Sequence, residues 1–124
     1  MAGDQTYVSI WKTSAEGRGE RHVAEGYPTD EFPGRDGHRP DGCAYFAKDR
    51  WIAELFAGRP GYEEFLIEVQ VPIEVYRYRF QQFEHVVVFG AGRGVELAIP
   101  AEHLDELNRV GVRFKRNPLE DSTS

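Results

Sequence analysis

Glu96 sits in the run VELAIP, where Val95, Leu97 and Ile99 alternate with Glu96 and Ala98. Strand alternation then sends its carboxylate to the side away from the apolar set. An outward glutamate is commonly just solvated, and the alternative is a carboxylate that takes part in chemistry. The preceding glycines, in VVVFGAGRGVE, resemble a phosphate-cradling fingerprint because an apolar strand flows straight into them. That fingerprint needs a third glycine where Val95 stands and a helix after it, whereas a strand pattern follows, so a glycine-rich hairpin turn is the expectation. Arg77 and Arg79 fall on one face of an alternating run and have two readings, phosphate binding or pairing with Glu64 and Glu68 on a neighbouring strand. Cys43 beside a histidine would be a nucleophile, but next to Ala44 and Tyr45 it reads more simply as a small buried residue. His22, His38, His85 and His103 show no His-x3-His or His-Glu-x-x-His spacing and no identifiable partner, so no metal site is expected.

The elements that must position these residues follow from periodicity. TYVSIWK, residues 6–12, alternates β-branched and aromatic types and predicts a first strand that runs into Thr13 and Ser14. Gly, Pro and Asp then recur through residue 42, which predicts a long loop over 17–42 containing His22, His38, Tyr27 and Phe32, with a short turn of helix near 20–24. CAYF, residues 43–46, runs into KDRWIAELFAG, a helix with Trp51, Ile52, Leu55 and Phe56 on one face and a stop at Gly58 and Pro60. EEFLIEVQVP is the clearest strand, with Phe65, Ile67, Val69 and Val71 against Glu64, Glu68 and Gln70. EVYRYRF repeats that alternation and predicts another strand, and HVVVF predicts a more deeply buried one. VELAIP is followed by AEHLDELNR, a short amphipathic helix with Ala101, Leu104 and Leu107 inward, and GVRF closes as a strand. The order predicts an α+β fold, a mainly antiparallel sheet with two short helices and a long loop.

A chain of 124 residues with 40% hydrophobic residues forms one domain over 1–124, with a polar tail from about 117. The formal net charge of -6 argues against non-specific binding to nucleic acid or to anionic membrane, since both depend on cations neutralising phosphates. Cys43 is the single cysteine, which excludes an internal disulfide and a multi-cysteine metal centre. The segment MAGDQTYVSI lacks a basic then apolar leader, and no run reaches the roughly 20 apolar residues of a membrane helix. A cytoplasmic location is the expectation, with a specialised secretion machine as the exit open to a toxin.

Three separated segments resemble the ADP-ribosyltransferase fold of small bacterial toxin and effector domains. IWKTS, residues 10–14, is similar to that family's first strand and its small polar residues, with Trp11 where a ribose-holding histidine usually stands. GCAYFAKDRWIAELFA, residues 42–57, is similar to its glycine, aromatic pair and helix, with Tyr45 matching the stacking tyrosine. VELAIPAEHLDELNR, residues 95–109, looks like its glutamate strand, proline and helix, with Glu96 in the catalytic position and Gly94 where enzymes acting on arginine or asparagine carry Glu or Gln.

The resemblance implies a cleft between sheet halves that takes NAD as substrate. The Trp11, Lys12, Thr13 and Ser14 segment would position the ribose, and Tyr45 would pack on nicotinamide. Glu96 would stabilise the positive charge that builds on the ribose as the bond breaks. Tyr45 also reads as a core tyrosine, and Thr13 and Ser14 as turn residues. The implied activity is ADP-ribosyl transfer to an unspecified acceptor or NAD hydrolysis, with a cognate immunity protein as a possible partner. The alternative is a non-enzymatic module, either a degenerate member of that fold or a neutralising protein whose acidic charge suits a basic partner.

Overall fold

In the computed structural model, residues 6–14, 19–28, 43–57, 65–90 and 92–116 are described. They form six strands and four short α-helices: β1 (Tyr7–Ser14), α1 (Gly19–Glu25), β2 (Cys43–Ala47), α2 (Arg50–Ala57), β3 (Phe65–Pro72), α3 (Ile73–Val75), β4 (Glu84–Phe89), β5 (Gly92–Pro100), α4 (Leu104–Val110) and β6 (Val112–Arg116). The strands make one sheet in the order β4-β5-β2-β1-β3-β6, every pairing antiparallel. The fold is therefore α+β, with four helices where the periodicity predicts two. No described helix is long and apolar enough to cross a membrane.

Alternation splits the sheet into two chemically different faces. One carries Ile10, Phe46, Ile67, Val69, Leu97 and Ile99, packed against Tyr27, Tyr76, Phe80, Leu104 and Leu107 from the helical segments. Tyr27 is fully buried and meets Phe46 edge-on at 5.1 Å. Asn108 of α4 fixes it there, accepting from the Tyr27 backbone N–H at 2.8 Å and donating back to its carbonyl at 2.9 Å. Gly26 precedes it with φ of +94°, and an added Cβ would lie 2.6 Å from the Asn108 side chain, so this bend requires glycine. The short turn of helix expected near 20–24 is α1, and within it His22 is buried against the Tyr27 ring. Phe32, His38 and residues 29–42 of the expected loop, like Glu64 and the expected tail from 117, lie outside the described residues.

The other face is crossed by α2, whose Ile52 and Ala53 pack with Ala47, Leu66 and Trp11. Trp51 lies over the start of β5: a Cβ at Gly92 would come within 2.5 Å of its ring, and one at Gly94 within 2.5 Å of Ile52 and 2.8 Å of Asp49. Backbone bonds dock the entry to α2 on β5, with Lys48 N–H donating to the Val95 carbonyl at 2.9 Å and Val95 N–H donating to Asp49 Oδ2 at 2.8 Å.

Two expectations fail here. Residues 73–83 are helical, not a strand: α3 continues through a π-turn over Tyr76–Phe80 and a 3-10 turn over Gln81–Phe83. Tyr76 and Phe80 are buried while Tyr78 is 85% exposed, which is helical i, i+4 spacing, whereas a strand would send all three the same way. Arg77 and Arg79 accordingly project from a helical surface, with Arg79 3.3 Å from Glu106, and do not pair across strands with Glu68. The HVVVF run is the outermost strand, and Val86 and Val88 are exposed on the face that the helices do not reach at this edge.

Candidate functional site

Directly opposed residues of antiparallel strands share a face, and the pairings here align one residue from every strand in a single row. His85 opposes Glu96, Glu96 opposes Ala47, Ala47 opposes Trp11, Trp11 opposes Glu68, and Glu68 opposes Phe114. The row lies on the α2 face and contains two carboxylates, both buried: Glu96 at 4% exposure and Glu68 at 7%. Glu96 is therefore not the solvated strand residue that outward alternation suggests.

The two carboxylates differ in what their oxygens touch. Glu68 is saturated: Ser9 Oγ and Gln70 Nε2 donate to Oε2, and Arg116 Nε donates to Oε1 at 2.9 Å. Burial pushes its carboxyl up, but the bonds from Ser9, Arg116 and Gln70 and the Arg116 charge outweigh that and hold it below the usual carboxylate range. Glu96 has one partner among the described residues, His85, whose Nε2 lies 3.1 Å from Oε1. At that distance the imidazole N–H donates to the carboxylate. Oε2 makes no hydrogen bond among the described residues, so a buried carboxylate retains open acceptor capacity. Glu68 lies three strand spacings from Glu96, roughly 14 Å, beyond the span over which two carboxylates cooperate on one glycosidic bond.

Glu96 borders the joint of the sheet. Strands β1 and β2 share a single residue pair, Trp11 with Ala47, while β1 and β3 pair along their whole lengths. The strands thus group as β4-β5-β2 and β1-β3-β6, with one backbone pairing between the two groups among the described residues. Two residues along from that pair, Thr13 of β1 and Tyr45 of β2 lie on adjacent strands, on the same face as Glu96. Thr13 is 5% exposed. Tyr45 is half-buried, and its ring meets the His85 ring edge-on at 6.4 Å.

Of the six residues singled out by sequence, the structure brings Trp11, Thr13, Tyr45 and Glu96 to one face. Trp11 is half-buried beside α2, with the Arg50 guanidinium 5.1 Å from its ring. Lys12 points to the opposite face, where its ammonium donates to the Tyr45 carbonyl at 3.1 Å and lies 5.6 Å from the Phe46 ring. Its work is to bridge β1 and β2 from behind the site. Ser14 ends β1, and the placement of its side chain lies outside what is described. Cys43 is half-buried at the start of β2.

His85 is the site residue that periodicity overlooks, and a signal for it exists. Phe89 pairs with Gly92, and counting back along the two strands pairs His85 with Glu96. The saturation of Glu68 has no such local signal, because Ser9 and Arg116 are far from it in sequence. Comparison of the chain with protein families, with curated proteins and with solved structures returns no match.

Proposed function

We propose that this protein cleaves the nicotinamide–ribose bond of NAD, as an ADP-ribosyltransferase or NAD glycohydrolase, with Glu96 as the carboxylate that stabilises the reacting ribose. The observation that carries this reading is the buried Glu96, with one oxygen unpartnered among the described residues, on the sheet face that also carries Tyr45 and Thr13. As the C1′–N bond breaks, its electron pair leaves with nicotinamide and positive charge grows on the ribose. A fixed carboxylate in a largely water-excluded setting then favours the transition state over the ground state. The free Oε2 is suited to accept a hydrogen bond from a ribose hydroxyl. Tyr45 supplies a ring for the nicotinamide to pack against, and Thr13 a hydroxyl from the facing half. Water or another acceptor then adds to C1′ and loses its proton. Lys12 has no part in substrate contact in this scheme.

The test is nicotinamide release from NAD by the purified protein beside Glu96→Gln, with NAD binding followed by calorimetry in the same samples. Glu96→Gln preserves shape and is expected to lower kcat by about 10²–10³-fold while the variant melts as the wild type does. Expression of the active protein should slow host growth and Glu96→Gln should relieve it. Absence of both release and binding in the wild type overturns the reading.

A further inference from the structure

We propose that His85 is the positioning residue of Glu96, holding Oε1 so that Oε2 is presented to the substrate; this rests on the NAD reading above. The β4–β5 hairpin places the two residues directly opposite each other, so their side chains leave the same face of the sheet. His85 Nε2 occupies Oε1 at 3.1 Å, and it is the one hydrogen bond of that carboxylate among the described residues. A glutamate side chain has three rotatable bonds, and one directional contact at one oxygen removes most of the freedom left after burial.

The exposures assign the direction of influence. The Glu96 side chain is 6% exposed and the His85 side chain 41%, so the imidazole stands at the rim and the carboxylate beneath it. The same imidazole meets Tyr45 edge-on. One ring therefore braces both the carboxylate and the aromatic surface proposed for nicotinamide, and fixes their separation. Glu84, the neighbour of His85 in β4, faces the other way and is held by Tyr76 and Lys48, so it does not compete for the imidazole.

The experiment compares His85→Leu and His85→Gln with the wild type in steady-state nicotinamide release. Leucine removes the N–H, whereas the glutamine amide places a donor near the position of Nε2. His85→Leu is expected to lower kcat about 10–100-fold with a smaller rise in KM for NAD, because the leucine side chain still packs beside Tyr45 while the orientation of Glu96 is lost. His85→Gln should recover most of that loss. Imidazole nitrogen shifts give a second readout: the Nε2 signal of His85 should move in Glu96→Gln. Wild-type kcat in His85→Leu, or equal losses in both His85 variants accompanied by lowered melting temperatures, would overturn the inference while leaving the NAD reading intact. A wild-type protein that releases no nicotinamide overturns both.

Discussion

Glu68 accepts from Ser9, Gln70 and Arg116, and those contacts set how the protein responds to acid. Its carboxyl in the folded state binds a proton less tightly than in the unfolded chain, where glutamate titrates near about 4.3. The stabilisation is therefore complete above that unfolded value and is lost as pH falls through the lower folded value. Glu68→Gln should flatten the decline of melting temperature between about pH 4.5 and 3. A decline as steep as that of the wild type would show that other groups carry the acid sensitivity. The face of Glu96 was legible from the alternation of VELAIP. Its burial was not, because alternation identifies which side a residue takes and is silent on what covers that side. Among the described residues, His85 from the neighbouring strand is the side chain that meets the Glu96 carboxylate.

At the scale of elements, α2 is a brace that two glycines make possible. Gly94→Ala would push a methyl against Ile52 and Asp49, and the expected cost is about 1–3 kcal/mol, read as a lowered urea midpoint. Shortening Ile52 to Val in the same chain should recover part of it, since the crowded atom is the end of that side chain. The glycines themselves were legible as a hairpin, but their service to α2 was not, since it depends on a helix nearly 40 residues upstream folding back over β5.

The segment 73–83 shows a different limit. Positions 76, 78 and 80 are all aromatic, and the pair at 76 and 80 satisfies a strand period of two and a helical spacing of four equally well. Only the fate of Tyr78 separates them. Tyr78→Ser is expected to change stability by less than about 0.5 kcal/mol, whereas Phe80→Ala should cost about 3–5 kcal/mol. Comparable losses for the two, measured by equilibrium unfolding, would contradict the helical assignment.

For the whole molecule, the connection between the two halves of the sheet is the governing feature. On the face opposite Glu96, Lys12 joins β1 to β2 through the Tyr45 carbonyl. Lys12→Met keeps an apolar stem against Phe46 and removes the charged donor, with an expected cost of about 1.5–3 kcal/mol and faster amide exchange in β2. Unchanged exchange there would show that the bridge is dispensable. The α+β class and most strands were legible from the sequence because each apolar stripe needs only its own period. The order of the strands was not, since β1 finds its partners in β2 and β3 across intervals that no local pattern marks.

Trp11 with Ala47 is the one backbone pairing between the two strand groups among the described residues, so a rotation of one group against the other would turn about it. Thr13 and Tyr45 stand two residues from it, about 7 Å along their strands, so a 5° swing of one half moves them by only about 0.6 Å relative to each other. Groups on the outer strands, about 12 Å away, move by about 1 Å in the same swing. Such a rotation would therefore change the spacing of Thr13 and Tyr45 less than it displaces the margins of the sheet.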